Sequence, residues 1–257
     1  MLDLSNHTTA PDFVVMSFYK MFGFPDLGAL IVRRASSHIL EHRKYFSGGT
    51  IEGATVFGEP WVARKTSSLH AWLEDGSIAI RSILALRCAL DTHRELFGSM
   101  KAISKHTNWL ALTLYQRLSV LRHSNGTQVC VIHKAARSTY GDVQTQGATI
   151  ALSVLNSDGS WMDTEALRSM LEEHTIHVRT GGLCNPGGTA TTSGASPASL
   201  KAAHEGGFRC DDVRMARISF GAMSTLQDVE KLAAFFEDCI VDRGHEHLPE
   251  RLTPSKL

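Results

Sequence analysis

The amino-acid sequence predicts an α/β fold, on three observations. Short apolar runs bounded by Gly, Pro and polar turns recur along the chain, as strands do. Segments with helical spacing lie between them, and two of these are long. The resulting alternation of strands and helices is the pattern of an α/β protein. Phe13 to Met16 and Ala29 to Val32 read as buried strands, separated by a turn holding Lys20, Gly23, Pro25 and Gly28. Ser36 to Tyr45 has helical spacing, and the stretch from Ser47 to about Leu69 is polar and irregular. Ile80, Ile83, Leu84, Leu86, Ala89, Leu90 and Leu96 place a helix over 78–96, with Ser77 as its cap. Leu110, Leu114, Leu118 and Leu121 place a second over 103–121.

After a turn at His123-Ser124-Asn125-Gly126, strands are expected at 129–133 and 148–155 and a helix at 162–174. A strand at 176–179 runs into a glycine-rich loop over 181–194. A short helix near Ser199, a strand at 215–220 and a helix over 226–241 close the pattern. The expected organisation is a first part over residues 1–97, a small α/β part over 98–242 and a loose tail over 243–257. The first part has an imbalance: two strands are too few for a parallel sheet of its own.

Composition narrows the function. The 257 residues hold 26 Lys plus Arg against 26 Asp plus Glu, so no charge excess recruits nucleic acid or an anionic membrane. No apolar run reaches the ~18 residues that a spanning helix needs. The first residues, Met1-Leu2-Asp3-Leu4-Ser5, lack the basic start and apolar core of a secretory signal. Five cysteines without CxxC spacing suit reduced thiols, so the expectation is a soluble cytoplasmic protein. The histidines show no zinc spacing, and His245 and His247 in the tail read as solvated.

Few residues carry a chemical signal. Lys20 follows an apolar strand directly; a lysine held against apolar surroundings keeps a neutral amine, which an imine to pyridoxal phosphate requires. The same lysine also fits a side chain snorkelling to the surface at a strand end. Ser17 and Tyr19 offer hydroxyls beside it for a phosphate. Cys184, in Arg179-Thr180-Gly181-Gly182-Leu183-Cys184-Asn185-Pro186-Gly187-Gly188, reads either as an exposed thiolate favoured by Arg179 or as a small buried hydrophobe. Arg217, inside a strand pattern, requires a partner: a ligand carboxylate or an internal salt bridge. Ser77 caps a helix or binds a phosphate at its start, and the cap is the simpler reading.

The order of these segments is more specific than any one of them. Pro11-Asp12-Phe13-Val14-Val15-Met16-Ser17-Phe18-Tyr19-Lys20-Met21-Phe22-Gly23-Phe24-Pro25, continued by Leu27-Gly28-Ala29-Leu30-Ile31-Val32-Arg33, resembles the cofactor-lysine segment of molybdenum cofactor sulfurases. Phe46-Ser47-Gly48-Gly49-Thr50, Leu73-Glu74-Asp75-Gly76-Ser77, His106-Thr107, Asn125-Gly126, Val178-Arg179-Thr180-Gly181, Cys184-Asn185-Pro186-Gly187 and Arg217-Ile218-Ser219-Phe220-Gly221 follow in that family's order.

The resemblance implies a fold-type I pyridoxal-phosphate transferase of the class V aminotransferase and cysteine desulfurase superfamily. In that reading residues 1–97 are the remnant of a truncated large cofactor domain, and 98–242 are the small carboxy-terminal domain. Lys20 resembles the lysine that forms the imine with pyridoxal phosphate, Ser17 and Tyr19 its phosphate-binding neighbours. Ser77 falls where a hydroxyl reaches the phosphate of a partner subunit, implying a homodimer. Arg217 resembles the arginine that grips the carboxylate of L-cysteine. Cys184 resembles the nucleophile that takes the sulfur as a persulfide, releases alanine and passes the sulfur to the molybdenum cofactor. The isolated chain is expected to be poorly stable and nearly inactive. The rival readings are a pyridoxal-phosphate lyase or transferase of a specialised pathway, and a non-catalytic remnant that pairs with a full-length homologue.

Overall fold

A computed structural model describes residues 4–192, 196–207 and 214–242; the tail with His245 and His247 lies outside them. The fold is α/β, and the chain divides into two compact units, residues 2–99 and residues from 100 onward.

In the first unit, β1 (Phe13–Ser17) pairs antiparallel with β2 (Gly28–Val32), from Phe13 opposite Val32 to Ser17 opposite Gly28. The helical turn α1 (Tyr19–Phe22) sits in the connection and ends on Gly23, whose φ of 74° lets its N–H reach the Tyr19 carbonyl. The expected 36–45 helix is shorter, a 3₁₀ turn over Arg34–Ser36 and α2 (His38–Glu41). A second ribbon, β3 (Ile51–Ala54) with β4 (Val62–Arg64), occupies the stretch expected to be irregular. Then come α3 (Leu69–Leu73), capped by the Ser68 hydroxyl, and α4 (Ile80–Phe97).

Three expectations are corrected here. Among the described residues, the first part holds four strands in two antiparallel ribbons, not two orphan strands. β1 and β2 are not buried: Val15 is 79% exposed, because each strand has only the other as a neighbour. Ser77 does not cap α4; Ala79 occupies the N-cap without a side-chain bond, and Ser77 lies exposed two residues outside it.

The second unit begins with α5 (Met100–Val120), followed by β5 (Cys130–His133), β6 (Thr149–Val154) and α6 (Thr164–Glu173), which the Asp163 carboxylate caps. β7 is only Arg179–Thr180, shorter than expected. α7 (Pro186–Thr192) forms inside the expected glycine-rich loop. The Asn185 side chain accepts from the Gly188 N–H, and the hydroxyls of Thr189, Thr191 and Thr192 donate to carbonyls four residues back. Those bonds assemble a helix that Gly and Thr propensities oppose. α8 (Pro197–Glu205), β8 (Ala216–Ser219) and α9 (Leu226–Phe235) follow; Thr225 and Asp228 cap α9 reciprocally, and residues 236–240 add a π turn.

The four strands form one antiparallel sheet in the order β5-β6-β8-β7. Alternation gives it two unlike faces. Cys130, Ile150, Leu152, Val154, Ala216 and Ile218 join one core with Leu110, Leu114 and Leu118 of α5, Leu167 and Leu171 of α6, and Val229, Leu232 and Phe236. Burial in this core pushes the Cys130 thiol up to about 12. The opposite face carries His133, Ala151, Ser153, Arg217 and Arg179. His123 is a satisfied core histidine. Its Nδ1 accepts the Asp242 N–H at 3.0 Å, leaving Nε2–H to donate to the Leu155 carbonyl at 3.0 Å.

Candidate functional site

Strand pairing assembles the site of the second unit. His133, Ala151, Arg217 and Arg179 lie directly opposite one another across β5, β6, β8 and β7, so the four share one row on the polar face. Arg217 is fixed there because its neighbours Ala216 and Ile218 are in the core. Its Nε is buried and has no hydrogen-bond partner, and Arg217 makes no salt bridge among the described residues. A buried guanidinium N–H without an acceptor is costly. The arrangement suits an anion that binds at this face, and the internal salt bridge open to the sequence is absent from the described residues.

Cys184 is exposed rather than buried. Leu183 and Cys184 have φ of 55° and 53°, left-handed values that are strained for residues with a Cβ. The Leu183 side chain is buried while Cys184 turns outward, and the Arg179 Nη2 donates to Cys184 Sγ at 3.0 Å. Arg179 therefore touches the thiol and faces Arg217 across the strand pair. Arg179, Cys184 and Arg217 form one constellation.

His133 completes the polar row. Its Nε2 and the Ser153 Oγ lie 2.8 Å apart, and partial burial holds its protonation below the ordinary histidine range. No sequence signal pointed to His133, because its relation to Arg217 exists only through Ala151 between them.

The first unit holds the other candidates. Ser17 ends β1, and Tyr19 and Lys20 open α1, so the three share one strand-to-helix turn. Lys20 is exposed, its Nζ 5.8 Å from the Tyr19 ring centroid, which is the surface setting rather than the apolar one. Among the described residues its amine makes no salt bridge. Ser77 belongs to a different feature. The loops 47–50 and 74–77, separate in the sequence, are stitched together by the Gly49 N–H donating to the Asp75 carbonyl at 3.1 Å and by the Ser47 hydroxyl on the same oxygen. A Cβ at Gly49 would stand 2.6 Å from that oxygen, so only glycine permits the approach. Arg43 braces the pair by donating to the Asp75 carboxylate. Among the described residues no hydrogen bond or ion pair joins Ser77 to the Lys20 turn.

Residues 2–232 match the family model described as aminotransferase class-V. The chain belongs to the aminotransferase class-V family. Among curated relatives of this family member are the molybdenum cofactor sulfurase of Emericella nidulans, 44% identical over 98% of this chain and 31% of that protein, and that of Neosartorya fischeri, 45% identical over 94% and 30%. The molybdenum cofactor sulfurase of Chaetomium globosum is 41% identical over the whole chain and 35% of its own length. The chain thus spans about a third of the length of the curated relatives it matches.

Solved structures share its fold. A cysteine desulfurase from Thermococcus onnurineus NA1 superimposes with a TM-score of 0.60 at 17% identity, covering 89% of this chain and 47% of that one. A cystine C–S lyase in complex with cysteine persulfide gives 0.58 at 17%, covering 92% and 48%. No helix among the described residues is long and apolar enough to cross a membrane.

Proposed function

We propose that this class-V chain carries the substrate-binding and sulfur-accepting half of a pyridoxal-phosphate-dependent L-cysteine desulfurase, whose sulfur goes to the molybdenum cofactor. The observation that carries the reading is Arg217, a buried guanidinium Nε without an acceptor, placed opposite the arginine that holds the Cys184 sulfur. An amino-acid carboxylate satisfies Arg217 in the fork geometry that guanidinium favours. A substrate anchored there by its carboxylate would lie beside the arginine that holds the Cys184 thiol. The relatives' name, molybdenum cofactor sulfurase, supports that acceptor.

The first unit fits a pyridoxal-phosphate site in its donor set. Lys20 presents an amine outside any salt bridge, and the hydroxyls of Ser17, Tyr19 and Ser77 bond to no described residue, leaving them for a phosphate. Lys20 would hold the cofactor, Ser17 and Tyr19 its phosphate, and Ser77 the phosphate of a second subunit in a homodimer. Pyridoxal phosphate, when bound, supplies an electron sink for bond breaking at the substrate's α and β carbons. Cys184, as thiolate, attacks the substrate sulfur; the new S–S bond forms as the Cβ–S bond breaks, the electron pair left at Cβ takes the proton that the substrate thiol gives up, and return of the α proton leaves alanine. The Lys20 amine carries that proton at Nζ.

Residues 1–97 are read as part of a larger cofactor domain and 98–242 as the small domain of a soluble, cytoplasmic enzyme. The apolar surface of the first unit supports a covering partner: Val15, Leu84 and Leu96 are each more than half exposed.

Reductive trapping tests the reading. After incubation with pyridoxal phosphate and borohydride, peptide mapping should find the pyridoxyl group on Lys20, and Lys20→Ala should lose it. With L-cysteine added, a persulfide should appear on Cys184 and not in Cys184→Ser. Pyridoxyl label spread evenly over surface lysines, or sulfane sulfur unaffected by Cys184→Ser, would overturn it.

A further inference from the structure

Arg179 is linked to Arg217 by strand register and to Cys184 by a hydrogen bond. Its strand is two residues long, its register partner is Arg217, and its Nη2 reaches Cys184 Sγ at 3.0 Å. Like charges directly opposite on antiparallel strands repel, and electron-rich atoms beside the guanidiniums of Arg179 and Arg217 offset that repulsion. One such atom is in place, the Cys184 sulfur. It is held there at a cost, since Leu183 and Cys184 both occupy left-handed backbone. The Gly181 N–H, bonded to the Met215 carbonyl at 2.9 Å, and the Asn185 N–H, bonded to the Gly182 carbonyl at 3.0 Å, tie the loop on either side. Neither bond touches the sulfur. Among the described residues, the Arg179 contact is the hydrogen bond that reaches Sγ itself.

We infer that Arg179 is the positioning residue of the sulfur-accepting thiol: it fixes Cys184 Sγ on the Arg217 side of the sheet and, with Arg217, makes this thiol select anionic over neutral reaction partners. A cysteine carboxylate and the anionic groups of a sulfur acceptor are partners of that class. The inference deepens the proposed function, since it rests on Cys184 being the sulfur-accepting thiol.

The experiment compares iodoacetate, an anion, with iodoacetamide, its neutral counterpart, on the whole chain with site-resolved mass spectrometry. Cys88, exposed on α4 and flanked by the Arg87–Asp91 pair, is the internal reference. The iodoacetate-to-iodoacetamide rate ratio at Cys184, relative to Cys88, should exceed unity at low salt. It should fall about fivefold in Arg179→Gln, the effect of one unit charge about 4 Å away in a watery dielectric. Arg179→Lys, which keeps the charge and loses the fork, should recover part of it. Should Arg179→Gln misfold, added salt tests the same point on the native protein: the Cys184 ratio should drop toward that of Cys88 as screening rises.

A ratio unchanged in a folded Arg179→Gln chain, or indifferent to salt in the native one, overturns the inference. The measurement needs neither cofactor nor turnover. A charge-selective Cys184 in a chain that never forms persulfide therefore counts against the proposed function alone.

Discussion

The two units bury their residues very differently. Among the described residues of the first unit only Pro25, Ser36 and Thr50 are buried, and none of the residues of α4 is. The second unit surrounds its sheet with a continuous apolar core in which Leu110, Leu114 and Ile150 have no exposed surface. Hydrophobic burial is the main favourable term in folding, so it stabilises the second unit far more than the first. The first unit depends on ribbons, caps and polar stitches, each contributing about 1 kcal/mol or less net. The division also separates roles. The polar face with Arg217, Arg179 and Cys184 stands on the firm unit, and the turn with Ser17, Tyr19 and Lys20 stands on the loose one.

The contrast can be broken at its strongest point. Leu114→Ala opens a cavity in the second core and should cost about 2–5 kcal/mol, read as a lower denaturant midpoint for that unit. Val15→Ala in β1 should move stability by less than about 0.5 kcal/mol, because that side chain is already mostly in solvent. Equal losses from the two would mean that the first unit has a core of its own.

Gly49→Ala probes the polar stitching. Its Cβ meets two backbone carbonyl oxygens, of Asp75 at 2.6 Å and Glu74 at 2.7 Å, which no rotamer change relieves. The loops 47–50 and 74–77 should part at a cost of roughly 1–3 kcal/mol, seen as faster amide exchange there with the second unit unaltered. Protection unchanged in the variant would show the loops held by something else.

The smallest effect concerns pH. Burial lowers the folded-state protonation of His133, so the unfolded chain binds the proton more readily. Its contribution is therefore complete above the ordinary value of 6.5 and declines as pH falls through and below it. His133→Gln should flatten the melting temperature of the second unit between about pH 7 and 5 relative to the native chain. Parallel pH profiles would remove His133 from the account.

Sequence reasoning reached the long elements and singled out Arg179, Cys184 and Arg217, which strand register and a hydrogen bond link. Leucines at helical spacing marked α5 well, because that face does meet a core. The same pattern in α4 marked the helix but not its surroundings, since periodicity says which face seeks burial and not whether anything covers it. β3 and β4 were missed because Ile51-Glu52-Gly53-Ala54 and Val62-Ala63-Arg64 are too short and polar to show alternation. α7 was missed because the threonine hydroxyls and Asn185 that build it are turn formers by composition.

At the site, the five-residue spacing of Arg179 and Cys184 made their contact foreseeable. The opposition of Arg179 and Arg217 was not, because register arises between segments 38 residues apart. Ser77 failed as a cap because the helix starts at Ile80, a shift within ordinary boundary error.

The alternation of β8 has a consequence for how this chemistry tolerates error. Arg217 sits between Ala216 and Ile218, both inside the core. A slip of one residue against β6 would drive the guanidinium among leucines and put Ile218 in water. Mispaired chains thus carry no displaced, half-competent version of the site. Such molecules are silent, and the guanidinium beside the Arg179–Cys184 pair is presented only by a chain whose hydrophobic packing has already been proofread.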